Sequence, residues 1–238
     1  MKASTDRRLG TVADIVGAVR ADLRKLPRCS TDAIRGVRRR YSAALVDAPP
    51  TTVVDVADLL LVGGSAAERL IGTELLIARR DVIRCVKRAN VEKWATGLDE
   101  WGSVDMYGVT VAGIAWREGC VPDRHVMRWA ASPDRWRRRL ALVATVPLNS
   151  RARGGQGDTV RTLRVCAALV DDRDDMVVKA LSWALRELSK RDPHSVAGFL
   201  RAHESRLASR VRREVRTKLE TGRKVVPRRA RRTRRLRT

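Results

Sequence analysis

Apolar residues return along most of this chain at steps of three and four, the spacing that aligns one face of an α-helix. Val12, Ile15, Val16, Val19 and Leu23 make such a stripe within residues 11–26. The habit recurs at 51–62, 66–78 and 79–89, with Gly63 and Gly64 as a stop and Ser65 as the N-cap of the next helix. Further helices are predicted at 103–117, 122–131, 134–146, 157–170, 174–190, 193–202 and 204–220. Pro122, Pro133, Pro147, Pro193 and the glycine-rich stretch 154–157 mark the joints between them. No segment alternates apolar and polar residues as a half-buried strand does, so the predicted class is all-α.

One internal echo refines that class. Asp134, Trp136 and Arg139 are matched forty positions later by Asp174, Met176 and Lys179. In both copies an acid opens the helix, an apolar residue follows two positions on, and a base five on. The offset falls in the size range of HEAT-type repeats, whose helix pairs stack into a solenoid. A HEAT-like solenoid with a concave basic surface is therefore the expected architecture.

Charge then narrows the partners. Lys and Arg number 50 against 27 Asp and Glu, a formal net charge of +23 over 238 residues. Residues 222–238 carry nine Lys or Arg and no acid, so residues 1–221 still carry +14. The expected division is a helical domain over 1–221 and a basic, disordered tail over 222–238. Such a charge points to a polyanion: DNA, RNA or an anionic membrane surface. Arg135, Arg137, Arg138, Arg139, Arg151, Arg153, Arg161 and Arg164 crowd one stretch of the sequence, either as a DNA cradle or as a solvated basic face.

Cysteine and histidine argue against a metal. Cys29, Cys85, Cys120 and Cys166 form no CxxC pair and the three histidines no HxxxH, so buried free thiols and no zinc are expected. No apolar leader opens the chain and no run approaches a membrane span, so a cytoplasmic protein, nucleoid-associated if bacterial, is expected.

Three segments carry candidate chemistry. Trp101 and Asp105 are one helical turn apart; if Ser103 begins or caps a helix, both side chains face one cleft. An acid there can equally just satisfy the helix dipole. Lys179, Trp183 and Arg186 follow at i, i+4 and i+7 on one stripe, while the apolar face is already supplied by Ala180, Leu181, Ala184, Leu185 and Leu188. Trp183 is then either a surface aromatic between phosphate-binding cations or a residue packed on the neighbouring repeat. Trp136 reads as a core knob, with Arg139 the better DNA contact.

Taken in order, these segments resemble the AlkD family of bacterial alkylpurine DNA glycosylases. The resemblance rests on Trp101, Ser103, Val104 and Asp105, with Gly113 eight positions on; on Ser132, Asp134, Trp136 and Arg139; and on Lys179, Ala180, Trp183, Leu185, Arg186 and Glu187. It spans about 90 residues, with a more generic similarity at Glu68–Ile77. The sequence departs from the family at Glu100, Gly102, Asp175 and Met176, where aromatic or acidic residues are usual, and Tyr41 is the candidate for an N-terminal aromatic that packs on DNA.

The resemblance implies a HEAT-like fold and hydrolysis of the N-glycosidic bond of N3- or N7-alkylated purines in duplex DNA, without the base flipping general among glycosylases. It implies that Asp105 stabilises positive charge on the deoxyribose and helps position water, that Trp101 and Trp183 contact the sugar, and that Arg139 holds the DNA backbone. Lys179 and Arg186 are further expected DNA contacts. No cofactor and no metal are implied, and a monomer acting on double-stranded DNA is expected. Two other readings stay open: a noncatalytic scaffold that recognises damaged or branched DNA by shape, and an RNA-associated basic helical protein.

Overall fold

The computed structural model describes residues 10–224. Among them there is no strand. The outer helices of the first half are α1 (Val12–Arg24), α3 (Pro50–Leu61), α5 (Arg80–Cys85) and α6 (Arg88–Trp94). They alternate with α2 (Thr31–Ala44), α4 (Ala66–Ala78) and the pair α7 (Trp101–Tyr107) and α8 (Gly113–Arg117). The second half continues with α9 (Asp123–Ala130), α10 (Arg135–Val143), α11 (Val146–Asn149), α12 (Thr159–Ala168), α13 (Asp175–Leu188), α14 (Pro193–Ala202) and α15 (Ser209–Thr221). One row of contacts runs α2, α4, α7–α8, α10, α13, α15, and the remaining helices pack behind it. The protein is a helical-repeat solenoid.

Its polar bonds have the same short reach. Arg35 and Arg38 of α2 bind Glu74 of α4 at 2.8 and 3.0 Å. Lys93 and Trp94 of α6 both bind Asp58 of α3 at 2.7 Å. Arg210 of α15 binds Asp175 of α13 at 2.7 Å. Among the described residues no side-chain hydrogen bond joins positions more than 48 apart, and the longest is Arg20 to Glu68. Each repeat is thus fastened to the next and to nothing beyond it, as stacking of small units requires.

Three glutamates show how these struts respond to acid. Burial pushes the carboxyls of Glu68, Glu92 and Glu118 up, but the hydrogen bonds they accept outweigh it and hold all three below the ordinary 4.5. The donors are Arg20 and Ser65 on Glu68, Trp129 and His125 on Glu92, and Arg80 and Arg84 on Glu118. A lowered folded-state pKa stabilises the fold above the unfolded value, and that contribution is lost as pH falls through the folded value. Thermal unfolding followed by circular dichroism should therefore show a melting temperature that declines once the pH drops below about 4.5. A flat profile from pH 5 to about pH 3 would mean that the struts are screened by solvent.

Local caps explain most boundaries. Ser65 accepts from Glu68 N–H while the Glu68 carboxylate accepts from Ser65 N–H, closing a capping box after the left-handed Gly63. The echo noted in the sequence is a pair of N-caps: Asp134 accepts from Trp136 N–H and Asp174 from Met176 N–H. Other expectations change. Helix α2 was outside the predicted set, because Ile34 and Val37 are its only buried apolar residues and arginines crowd its other faces. The single helix expected at 79–89 breaks at Val86 and Lys87, whose extended backbone lets Val86 turn into the core. The last helix starts at Ser209 rather than 204, since residues 203–207 form a turn anchored by buried Leu207. Of the four thiols only Cys166 is buried; Cys29 is exposed and the other two half-buried. Apart from Gly222 to Lys224, the basic tail lies outside the described residues. Among those residues no helix is long and apolar enough to cross a membrane.

The helix expected over 103–117 begins at Trp101 and changes character in the middle. Residues Gly108–Ala112 form a π-helical turn between α7 and α8. At both ends of this turn the chain packs so closely on the 140–147 stretch that Gly108 and Gly113 leave no room for a side chain: a Cβ on Gly113 would lie 2.4 Å from both Ala144 O and Pro147 Cγ. Gly113→Ala should therefore cost about 1–3 kcal/mol in urea unfolding, the usual range for overpacking. A cost below about 0.5 kcal/mol would show that α10 and α11 yield freely.

Candidate active site

Glu100, not Ser103, caps α7. Its carboxylate accepts from Gly102 N–H at 2.8 Å and Ser103 N–H at 2.5 Å, so the helix starts one residue later with Trp101. These backbone donors, Gly102 first, hold the Glu100 carboxyl below its usual range. At the first helical position, Trp101 has no preceding turn to pack against and is 60 % exposed. One turn on, Asp105 is half-buried on the same face. An open aromatic and a partly shielded carboxylate thus stand side by side at the start of α7.

Arg139 meets that carboxylate from α10. Its Nε donates to Asp105 Oδ1 at 2.8 Å and its Nη2 to Oδ2 at 2.7 Å, the forked geometry in which guanidinium holds carboxylate best. Its Nη1 donates to the carbonyl of Met176 on α13. Arg139 is only 5 % exposed. One side chain therefore ties α7, α10 and α13 together, with Asp105 at one end. The matching position in the next repeat behaves otherwise: Lys179 is exposed and pairs with Asp175 of its own helix at 2.6 Å.

The six tryptophans fall into two groups. Trp94, Trp116 and Trp129 are buried, and their indole N–H groups donate to Asp58, Asp123 and Glu92 at 2.7, 2.8 and 2.6 Å. Those three hold repeats together. Trp101, Trp136 and Trp183 donate to no group among the described residues and are exposed or half-buried. Trp136 packs partly on the core with the Arg135 guanidinium 4.8 Å above its ring. Trp183, on α13, is half-buried against the core with its N–H open to solvent. It shares with Asp105 the Arg139 link through α13, not a direct bond.

Arg186 lies deeper than a surface contact would. Its Nε donates to Ser182 at 3.1 Å and faces Glu214 of α15 at 3.7 Å, and burial holds its pKa down against the pull of Glu214 and Glu187. Two clefts, of about 680 and 550 Å³, open near the ends of α8 and beside α4. Neither is lined by Trp101, Asp105 or Trp183. The candidate site lies outside both clefts, with Trp101 open to solvent beside the half-buried carboxylate.

A family model described as DNA alkylation repair enzyme matches residues 29–219, well over half of the chain. The chain belongs to this DNA alkylation repair family. Comparison with curated proteins and with solved structures returned no match. Membership covers every helix from α2 to α14 and so takes in Trp101, Asp105, Arg139 and Trp183 alike. For a DNA alkylation repair enzyme, two features were out of reach of sequence reasoning. The Glu100 cap was hidden by Ser103, three residues on, whose residue type suits a cap as well. The inward turn of Arg139 was hidden by its equally basic neighbours Arg137 and Arg138.

Proposed function

We propose that this protein is a monofunctional DNA glycosylase that hydrolyses the N-glycosidic bond of cationic N3- or N7-alkylated purines in duplex DNA, initiating base excision repair without flipping the lesion. The observation that carries this reading is the pairing of exposed Trp101 with a fixed carboxylate, Asp105, on an open face. A purine alkylated at N3 or N7 is cationic and leaves as a neutral base, so no general acid is needed. Positive charge then develops on the deoxyribose, where a preorganised carboxylate stabilises it. Trp101 supplies a π face that attracts the polarised sugar C–H groups, and Trp183 a second wall. Hydrolysis by this route uses no lysine nucleophile, so no strand cleavage accompanies base release.

In this reading Arg139 orients Asp105 and reaches backbone phosphate only if DNA draws it outward. Lys179 contacts phosphate from the surface, and Arg186 does so only if it leaves Ser182 and Glu214. The protein acts as a monomer in the cytoplasm. Incubation with an N7-methylguanine duplex in the presence of EDTA tests the reaction: free base should be released faster than it is spontaneously, with no metal required. Failure on that duplex and on N3-methyladenine and bulkier-adduct duplexes would overturn catalysis. One observation favours the noncatalytic alternative. Both oxygens of Asp105 are engaged by Arg139, which partly compensates the charge that the reaction needs. Under that alternative the protein binds damaged or branched DNA by shape and releases no base.

A further inference from the structure

On the other side of the first turns of α10 lies a shallow dish of about 380 Å³ that the reaction does not use. Arg88 of α6, Arg128 of α9 and Arg137 of α10 line it, with Glu92, His125 and Ser132. The only carboxylate among these six is fully occupied. Glu92 Oε1 faces His125 Nε2 and accepts from Trp129 Nε1 at 2.6 Å, while Oε2 accepts from Arg137 at 3.1 Å. His125 is 3 % exposed, and burial lowers its pKa despite the neighbouring glutamate, so at neutral pH it carries no charge. With Nε2–H facing Glu92, its Nδ1 accepts from the Arg128 guanidinium and fixes it in place. Three guanidiniums thus stand against one carboxylate.

Arg88 and Arg128 are both exposed, and neither has an acid within ion-pair distance among the described residues. Many other arginines of this surface are paired instead. Arg35, Arg38, Arg80, Arg84, Arg206 and Arg210 all close on carboxylates. At the rim, Ser132 Oγ accepts from Asp134 N–H at 3.2 Å and keeps its own proton to donate, while Asp134 is turned to cap Trp136 N–H at 2.9 Å. The dish therefore offers guanidinium forks and a hydroxyl, the donor set that suits a tetrahedral phosphate. It is too shallow to enclose a nucleotide.

We propose that this dish is a phosphodiester-binding site, in which Arg88 and Arg128 grip the backbone of the same duplex whose sugar faces Asp105. The inference rests on the duplex-DNA reading above. Arg137 and Arg139 are two residues apart, so their Cα atoms are separated by about 5 Å on α10. Arg137 turns to the dish and Arg139 to Asp105, about 200° apart around the helix axis, so the first turns of α10 stand between the two places.

The test is equilibrium binding of the full chain to an undamaged, fluorescently labelled duplex over a range of NaCl concentrations. Each phosphate contact contributes about 0.9 to the slope of log affinity against log salt. Arg88→Ala, which touches no interior group, should flatten the slope by about one, and Arg88→Ala with Arg128→Ala by about two. Arg24→Ala with Arg28→Ala, removing the same charge near α1, should leave the slope near wild type. Equal slopes for the dish and control variants would overturn the dish alone. A wild-type chain that fails to bind duplex DNA would overturn the dish and the DNA reading together. A slope that responds only with an RNA duplex would overturn the assignment to DNA.

Discussion

Asp105→Asn should slow single-turnover release of N7-methylguanine by about a hundred- to a thousandfold, the usual loss when a preorganised electrostatic stabiliser is removed. The substitution keeps shape and nearly all volume. The amide oxygen can still accept one of the two bonds from Arg139, now made at 2.8 and 2.7 Å. What disappears is the negative charge facing the developing oxocarbenium. Binding to undamaged duplex, measured in parallel, should change little, because it is governed by phosphate contacts. The variant also leaves Arg139 with an incomplete partner, a loss of about 1.5–3 kcal/mol. Rates must therefore be normalised to folded protein by a parallel melt. Release at the wild-type rate would remove Asp105 from the chemistry and strengthen the scaffold alternative.

Arg139→Ala should produce the largest loss of stability, about 3–5 kcal/mol. The side chain is 6 % exposed and that of Asp105 17 % exposed, so deleting the guanidinium strands a largely buried carboxylate. It also removes the donor to the Met176 carbonyl and so uncouples α10 from α13 at that point. In a chain of this size each kcal/mol moves the melting temperature by about 2–4 °C, so calorimetry should record a drop near 10 °C. Arg139→Lys should recover only part of it, because one ammonium cannot reproduce a fork plus a third bond. A loss under about 1 kcal/mol would mean that water screens the pair as it does on an open surface.

The contrast between what the sequence revealed and what it hid follows from which interactions are local. Caps such as Ser65, Asp134 and Asp174 act within three residues, so residue type and spacing were enough to place them. The wide apolar stripe of α13 was equally legible. Helix α2 was not, because its stability comes from Arg35 and Arg38 reaching Glu74 across the repeat joint. The same limit applied at the site. Trp101 and Asp105 share one helix, and their facing followed from a four-residue step. Whether Arg139 turns outward to a phosphate or inward to a carboxylate depends on two other helices, and local spacing carries no trace of either. The six tryptophans look alike in the sequence for the same reason: the acids that claim Trp94 and Trp129 lie 36 and 37 positions upstream.

The short reach of the inter-repeat bonds has a mechanical consequence. With no side-chain hydrogen bond among the described residues skipping a repeat, the molecule behaves as an elastic rod of small rigid links, each joint free to rotate a little without disturbing distant ones. Bending is then shared among joints in inverse proportion to their stiffness. The joints on either side of α10 are pinned by the same guanidinium, from Asp105 on one side to Met176 on the other. That shared pin holds the carboxylate in position while the ends of the rod flex around whatever they grip.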